Sequence, residues 1–281
     1  MPLPLLRDLP YLLPRIIRRK CLPTAVPRAL SAWLPGFRAN AGTRSCAQVL
    51  KLYDQSLVPK FGPEWPRGRR ILEIGIGATN SSAYEAAARG ATSAVAFEPF
   101  VARDAPLDAI LLAECAQRRG VSADSIEARV SRVTSLDPLS EASIDLVLSN
   151  SVLEHVSGMD ALTRDLGRVL APGGAMLHLV DYRDHFFRYP YHHLLWSNAV
   201  WDRWLNPGDL PRWRIRDHVE CFERHGWHVE ILRASPLAAE FEKVRARIHP
   251  RFGSYDESAL STAFGVLFVT RGRPDSHLPI A

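Results

Sequence analysis

The chain has 281 residues, 47% hydrophobic and 23% charged, the balance of an ordinary globular protein long enough to bury a core without disulfides or a structural metal. Its four cysteines (Cys21, Cys46, Cys115, Cys221) form no C-x-x-C pair, which argues against a disulfide framework or an all-cysteine zinc site and fits a reducing, cytoplasmic setting. The net charge of +5 hints at nucleic acid until it is resolved along the chain: residues 1–40 carry +6 and the remaining 241 carry −1, so the bulk of the chain lacks the broad basic surface that phosphate binding needs.

The first 40 residues also hold seven of the 21 prolines. Each removes a donor and crowds the preceding turn, so helix is expected only in short pieces, Arg15–Leu22 and Arg28–Leu34. Residues 1–44 read as a basic, proline-rich arm packed across the mouth of the domain. Leucine, isoleucine and tryptophan interleaved with arginine also suit peripheral contact of residues 1–40 with an anionic membrane, at the inner membrane face of a cytoplasmic protein. No secretory signal is read here, and no apolar run approaches the ~20 residues that span a bilayer.

From Ser45 to Leu57 the apolar positions recur at helical spacing. Arg70–Ile74 is a short buried strand running into glycines. Strand and helix signals then alternate: helix Ser81–Arg89, strand Ala94–Phe97, helix Asp104–Arg118, strands Ile126–Val130 and Ile144–Leu148, and helix Met159–Leu170. A Pro172-Gly173-Gly174 turn leads to strand Ala175–Val180. Tyr182 to Trp213 holds nine aromatic residues in 32 and reads as a lid, with Trp196, Trp201 and Trp204 spaced for one helix face. Helix Ile215–His225 and strands His228–Leu232 and Ala263–Thr270 follow. The alternation predicts a parallel sheet covered on both faces.

The strongest motif is Leu72-Glu73-Ile74-Gly75-Ile76-Gly77. Glycines directly after a buried strand let the backbone turn tightly and approach a ligand, and Glu98, at the end of the next strand, suits both hydroxyls of a ribose. Asn80 stands where a dinucleotide fold needs Gly or Ala. Glu73, two residues before the first glycine, suits a cationic ligand better than a pyrophosphate.

With these features, Ile144 to Asn150, Val152-Leu153-Glu154-His155-Val156, and Arg168-Val169-Leu170-Ala171-Pro172-Gly173-Gly174, the chain resembles the class I S-adenosylmethionine-dependent methyltransferases over roughly residues 45–271. The resemblance implies a Rossmann-like, doubly wound, mostly parallel seven-stranded sheet with an antiparallel last strand. It implies a methyltransferase domain over 45–275 with the lid inserted at about 182–213 and a tail at 276–281. The implied cofactor is S-adenosylmethionine. Gly75 and Gly77 would form the turn under its methionine part, with Glu73 near its amino group. Glu98 would hold the ribose, Thr134 or Ser135 would lie by the adenine, and Asn150 would line the methionine moiety. Many relatives carry a third glycine where Thr79 stands, so the loop here departs from the family pattern.

For the acceptor, the end of the fifth strand offers Asp181-Tyr182-Arg183-Asp184-His185. An imidazole is the better proton acceptor near neutrality, so His185 is the expected base, with Asp181 or Asp184 orienting it. His155 competes: its segment resembles the E-x-x-E-H stretch of ubiquinone-type O-methyltransferases, but Ser151 replaces the first acid, and one carboxylate with one imidazole is a poor magnesium site. No metal is expected. The expected activity is O-methylation of a small-molecule or glycan-type acceptor. N- or C-methylation of a natural product, or a cofactor-binding non-catalytic subunit, are the alternatives.

Overall fold

A computed structural model describes residues 4–20, 46–186, 188–206 and 210–272. The expected helix Arg28–Leu34 and the tail lie outside these residues. Seven strands form one sheet in the order β3-β2-β1-β4-β5-β7-β6. The strands are β1 Arg70–Ile74, β2 Ser93–Phe97, β3 Val130–Val133, β4 Ile144–Asn150, β5 Leu170–Asp181, β6 Trp227–Pro236 and β7 Thr262–Arg271. β1 to β5 pair in parallel, and β7 lies antiparallel between β5 and β6. This is the Rossmann-like sheet with an antiparallel last strand.

The first helices in chain order are α1 Pro4–Lys20, α2 Cys46–Phe61, α3 Ser81–Ala88, α4 Ala105–Arg119, α5 Ala123–Glu127 and α6 Met159–Val169; α7 Ile215–Arg224 follows the lid. Two apolar cores fill the two faces of the sheet. One joins Leu72, Val147 and Met176 to Leu166 and Phe222, and the other joins Ile71, Leu146 and Leu177 to Leu50, Tyr53 and Leu57. Central strands buried on both faces explain why their sequences read as nearly unbroken apolar runs.

Three local expectations change. Ile126–Val130 is not a strand. Ser122 accepts a hydrogen bond from Ser125 N, capping the single helical turn of α5, and strand pairing begins only at Val130. The described part of the arm is not broken at its prolines: α1 runs unbroken for 17 residues through Pro10 and Pro14. Both prolines are exposed, while Tyr11, Leu12 and Arg15 are buried against the lid, so tertiary packing offsets the missing backbone bonds. The lid tryptophans do not share a face. Trp201 is buried and Trp204 points outward, because the lid turn Trp201–Leu205 winds as a π-helix after one α-turn, shifting the side-chain phase.

Candidate functional site

Parallel pairing places the ends of β1 to β5 at one edge. Ile74 lies opposite Phe97 and Ser149, Phe97 opposite Val133, and Asn150 opposite Leu179. Strand order reverses between β1 and β4, so a crevice opens there, between the loops that follow the two strands.

The β1 loop lines one side of the crevice. Gly75 and Gly77 adopt φ of +68° and +80°, a region open to glycine and strained for other residues. Gly75 is required twice over, since a Cβ there would lie 2.9 Å from Val152 Cγ1 and closer still to Cγ2. Beyond it, Gly77 N donates to Glu98 Oε2 at 2.9 Å, and Phe100 N and Val101 N donate to Glu98 Oε1 at 3.0 and 3.1 Å. Three backbone donors hold this buried carboxylate beside the glycine turn. Arg132, near the end of β3, ties the two loops together by donating to Gly77 O (2.6 Å), Asn80 Oδ1 (3.0 Å) and Val101 O (3.0 Å). Behind the loop, the buried Asp108 carboxylate accepts from Asn80 N, Tyr84 Oη and Arg103 Nε, placing negative charge at the start of α3.

Glu73 faces the helices. Tyr53 Oη donates to its Oε1 at 3.0 Å and Ser82 Oγ to its Oε2, linking β1 to α2 and α3. Burial raises its pKa to about 7, against the lowering effect of these two hydroxyls. Asn150 ends β4 and is half-buried, followed by Ser151 at φ +56°. Thr134 is exposed and Ser135 is folded into a turn by its hydroxyl bond to Asp137, 2.6 Å, both just past β3.

The acceptor side gathers at the ends of β4 and β5. Asp181 is engaged by Arg183 Nε and Nη2 at 2.9 and 2.6 Å. Asp184, fully buried, accepts from Tyr11 Oη at 2.6 Å and from Arg15, so this carboxylate anchors the arm. His185 stands with its ring 4.6 Å from that of His155. Glu154, His155 and His185 each present one ligand atom within 4.8 Å of the others, a two-histidine, one-carboxylate set of the kind that holds a divalent cation. Both Glu154 oxygens are buried with no hydrogen-bond partner among the described residues, and burial holds its carboxyl well above the usual carboxylate range. Glu154, Asp181, Tyr182, Arg183 and Arg212 border a cavity of about 10 Å³, room for about one water.

The lid closes this side. Arg212, at φ +66°, donates to the carbonyls of His193 (2.9 Å) and Trp196 (2.8 Å) and to Asn198 Oδ1 (2.6 Å). The Tyr11 ring of α1 packs among those of Phe186, Tyr189, His192 and Trp196. Tyr182 donates to His218 Nδ1 at 3.0 Å, while His218 Nε2 faces Leu153 O at 3.2 Å, which assigns the tautomer and ties α7 to the β4 loop. Arg132, the positive φ of Ser151 and the arm contacts of Asp184 were not singled out by the sequence. A lone arginine in a short strand was the one available signal for Arg132.

The residues fit a nucleoside-bearing cation. Glu98 is fixed beside the glycine turn as a ready acceptor, and Thr79 Oγ1 is buried in the same loop without a hydrogen-bond partner among the described residues. A doubly wound sheet with this crevice is an α/β architecture that binds its ligand at the carboxyl edge of the strands. Residues 72–178, spanning the glycine turn, Glu98, Asn150 and the Glu154-His155 turn, match the family described as "Methyltransferase domain". Over these residues the chain is similar to methyltransferase domains, and its glycine turn with Glu98 fits S-adenosylmethionine as the cofactor. No curated protein matches the chain.

Solved structures with similar chain paths include an S-adenosylmethionine-dependent methyltransferase from Mesorhizobium loti, at 18% identity and TM-score 0.45, covering 78% of this chain and 97% of that one. The phosphoethanolamine N-methyltransferase 2 of Haemonchus contortus, in complex with S-adenosyl-L-methionine, is 17% identical at TM-score 0.48, with 78% of this chain and 51% of that one covered. The cyclase SpnF is 18% identical at TM-score 0.47, with 83% and 84% covered.

Proposed function

We propose that the enzyme methylates a hydroxyl oxygen of a small-molecule or glycan-type acceptor. S-adenosylmethionine supplies the activated methyl group. Glu98 holds the ribose, with Gly75, Gly77 and Asn150 on the methionine side. The observation that carries the reading is His185, a half-buried imidazole beside His155 at the strand edge next to the crevice. A hydroxyl is a weak nucleophile until its proton is accepted, and an imidazole at hydrogen-bond reach of an acceptor is suited to that near neutrality. Asp181 and Asp184 contribute by shape: held by Arg183 and by Tyr11 with Arg15, they fix the turn from which His185 projects. The lid aromatics wall the acceptor side and exclude water.

The test is methyl transfer from labelled cofactor to a panel of phenols, sugars and amines. The expected result is turnover on hydroxyl acceptors, with His185→Ala lowering kcat by about 10²–10⁴-fold. Turnover confined to amines, or full turnover by His185→Ala, overturns the reading.

A further inference from the structure

α1 carries two stripes. Asp8, Tyr11, Leu12 and Arg15 recur at i, i+3, i+4 and i+7 and are buried against the lid. Leu13, Ile17 and Lys20 recur at i, i+4 and i+7 on the opposite side. Leu13 is 51% exposed and Ile17 48%, unusual for residues of this size on a helix already packed through its other face. The lid extends the same surface. Lys20 Nζ lies 5.1 Å from the centre of the Trp204 ring, and the Arg203 guanidinium lies 5.3 Å from it. Trp204 is 38% exposed, as is Val200 one turn earlier at 37%. Half of the large hydrophobic side chains exposed among the described residues therefore belong to α1 and the lid turn.

We infer that this face docks on an anionic lipid surface. Aliphatic side chains, an outward tryptophan and flanking cations are the set that enters the boundary between headgroups and acyl chains. The charge is complementary: by sequence residues 1–40 are +6 while the other 241 are −1, and among the described residues Lys20 shares the stripe of Leu13 and Ile17 while Arg203 flanks Trp204. The same helix is bonded to Asp184 through Tyr11 and Arg15, one residue from His185. Docking thus brings the acceptor side to the membrane surface and points to a lipid-borne hydroxyl as acceptor. That last step rests on the functional reading above, whereas the docking does not.

The test is flotation of the full chain with vesicles of neutral phosphatidylcholine, alone or with 30% phosphatidylglycerol by design (on the order of a natural anionic leaflet), without cofactor or acceptor. The expected result is binding to the anionic vesicles only, weakened by about fivefold in Lys20→Gln and by more than tenfold in Leu13→Glu/Ile17→Glu, with unchanged thermal midpoint and cofactor affinity. Brominated acyl chains should quench the wild type and lose part of that quenching in Trp204→Phe. Failure to float with anionic vesicles, equal binding by the charge-inserted variants, or a self-associated state in sedimentation that these variants dissociate overturns the docking. Binding to vesicles without turnover on lipid-borne hydroxyls leaves docking standing and overturns only the acceptor step.

Discussion

The cofactor side and the acceptor side are built from different ranges of sequence. At the cofactor side, Gly77 meets Glu98 over 21 residues, and both follow directly on strand ends. At the acceptor side, Asp184 is held by Tyr11 across 173 residues and by Arg15 across 169. The first is a local turn that backbone geometry dictates. The second is assembled by an arm that has to return to the lid. The cofactor turn is thus carried by short-range structure, while the acceptor side is carried by long-range contacts.

Breaking the arm contact should have the largest effect. Asp184→Ala leaves the Arg15 guanidinium buried without its partner and should cost about 3–5 kcal/mol of stability, read by chemical denaturation. A loss under about 1 kcal/mol would mean that the arm is not tied to the lid as described. Gly75→Ala comes next. Positive φ and the crowding against Val152 should cost about 1–3 kcal/mol and weaken cofactor binding. Val152→Ala in the same chain should restore part of that loss, and strict additivity of the two changes would argue against their contact.

A pH experiment sharpens the cofactor side. Glu73 has a raised folded pKa of about 7, against an ordinary 4.5, so the folded state binds the extra proton between these values. Stability is then favoured at low pH and falls as pH rises from about 4.5 to 7. Glu73→Gln removes this ionisation. The difference in unfolding free energy, variant minus wild type, should rise with pH across that window by up to about 3 kcal/mol. A flat difference would show that Glu73 is not desolvated.

The alternating strands and the glycine loop were legible because buried strands read as apolar runs and because Gly75, Gly77 and Glu98 stand directly after them, while the seven-stranded sheet with an antiparallel last strand was what the family resemblance implied. The third strand was displaced because Ile126 is buried in a helical turn, and burial of one isoleucine looks the same in either state. The unbroken α1 was hidden by Pro10 and Pro14, whose cost is offset only by packing of Tyr11 and Leu12 on a lid almost 200 residues away. For the candidate base, the sequence showed His185 beside two aspartates. It did not show that Asp184 turns toward the arm, or that His155 and Glu154 come alongside from the end of β4.

The central claim is that cofactor binding and acceptor chemistry are divided between Glu98 and His185. Calorimetric titration of S-adenosylmethionine into Glu98→Ala and His185→Ala tests it most directly. The account predicts that Glu98→Ala loses charge-assisted hydrogen bonds of roughly 1.5–3 kcal/mol, about ten- to a hundredfold in affinity, while His185→Ala binds the cofactor like the wild type. Unchanged affinity in Glu98→Ala, or an equal loss in His185→Ala, would contradict it.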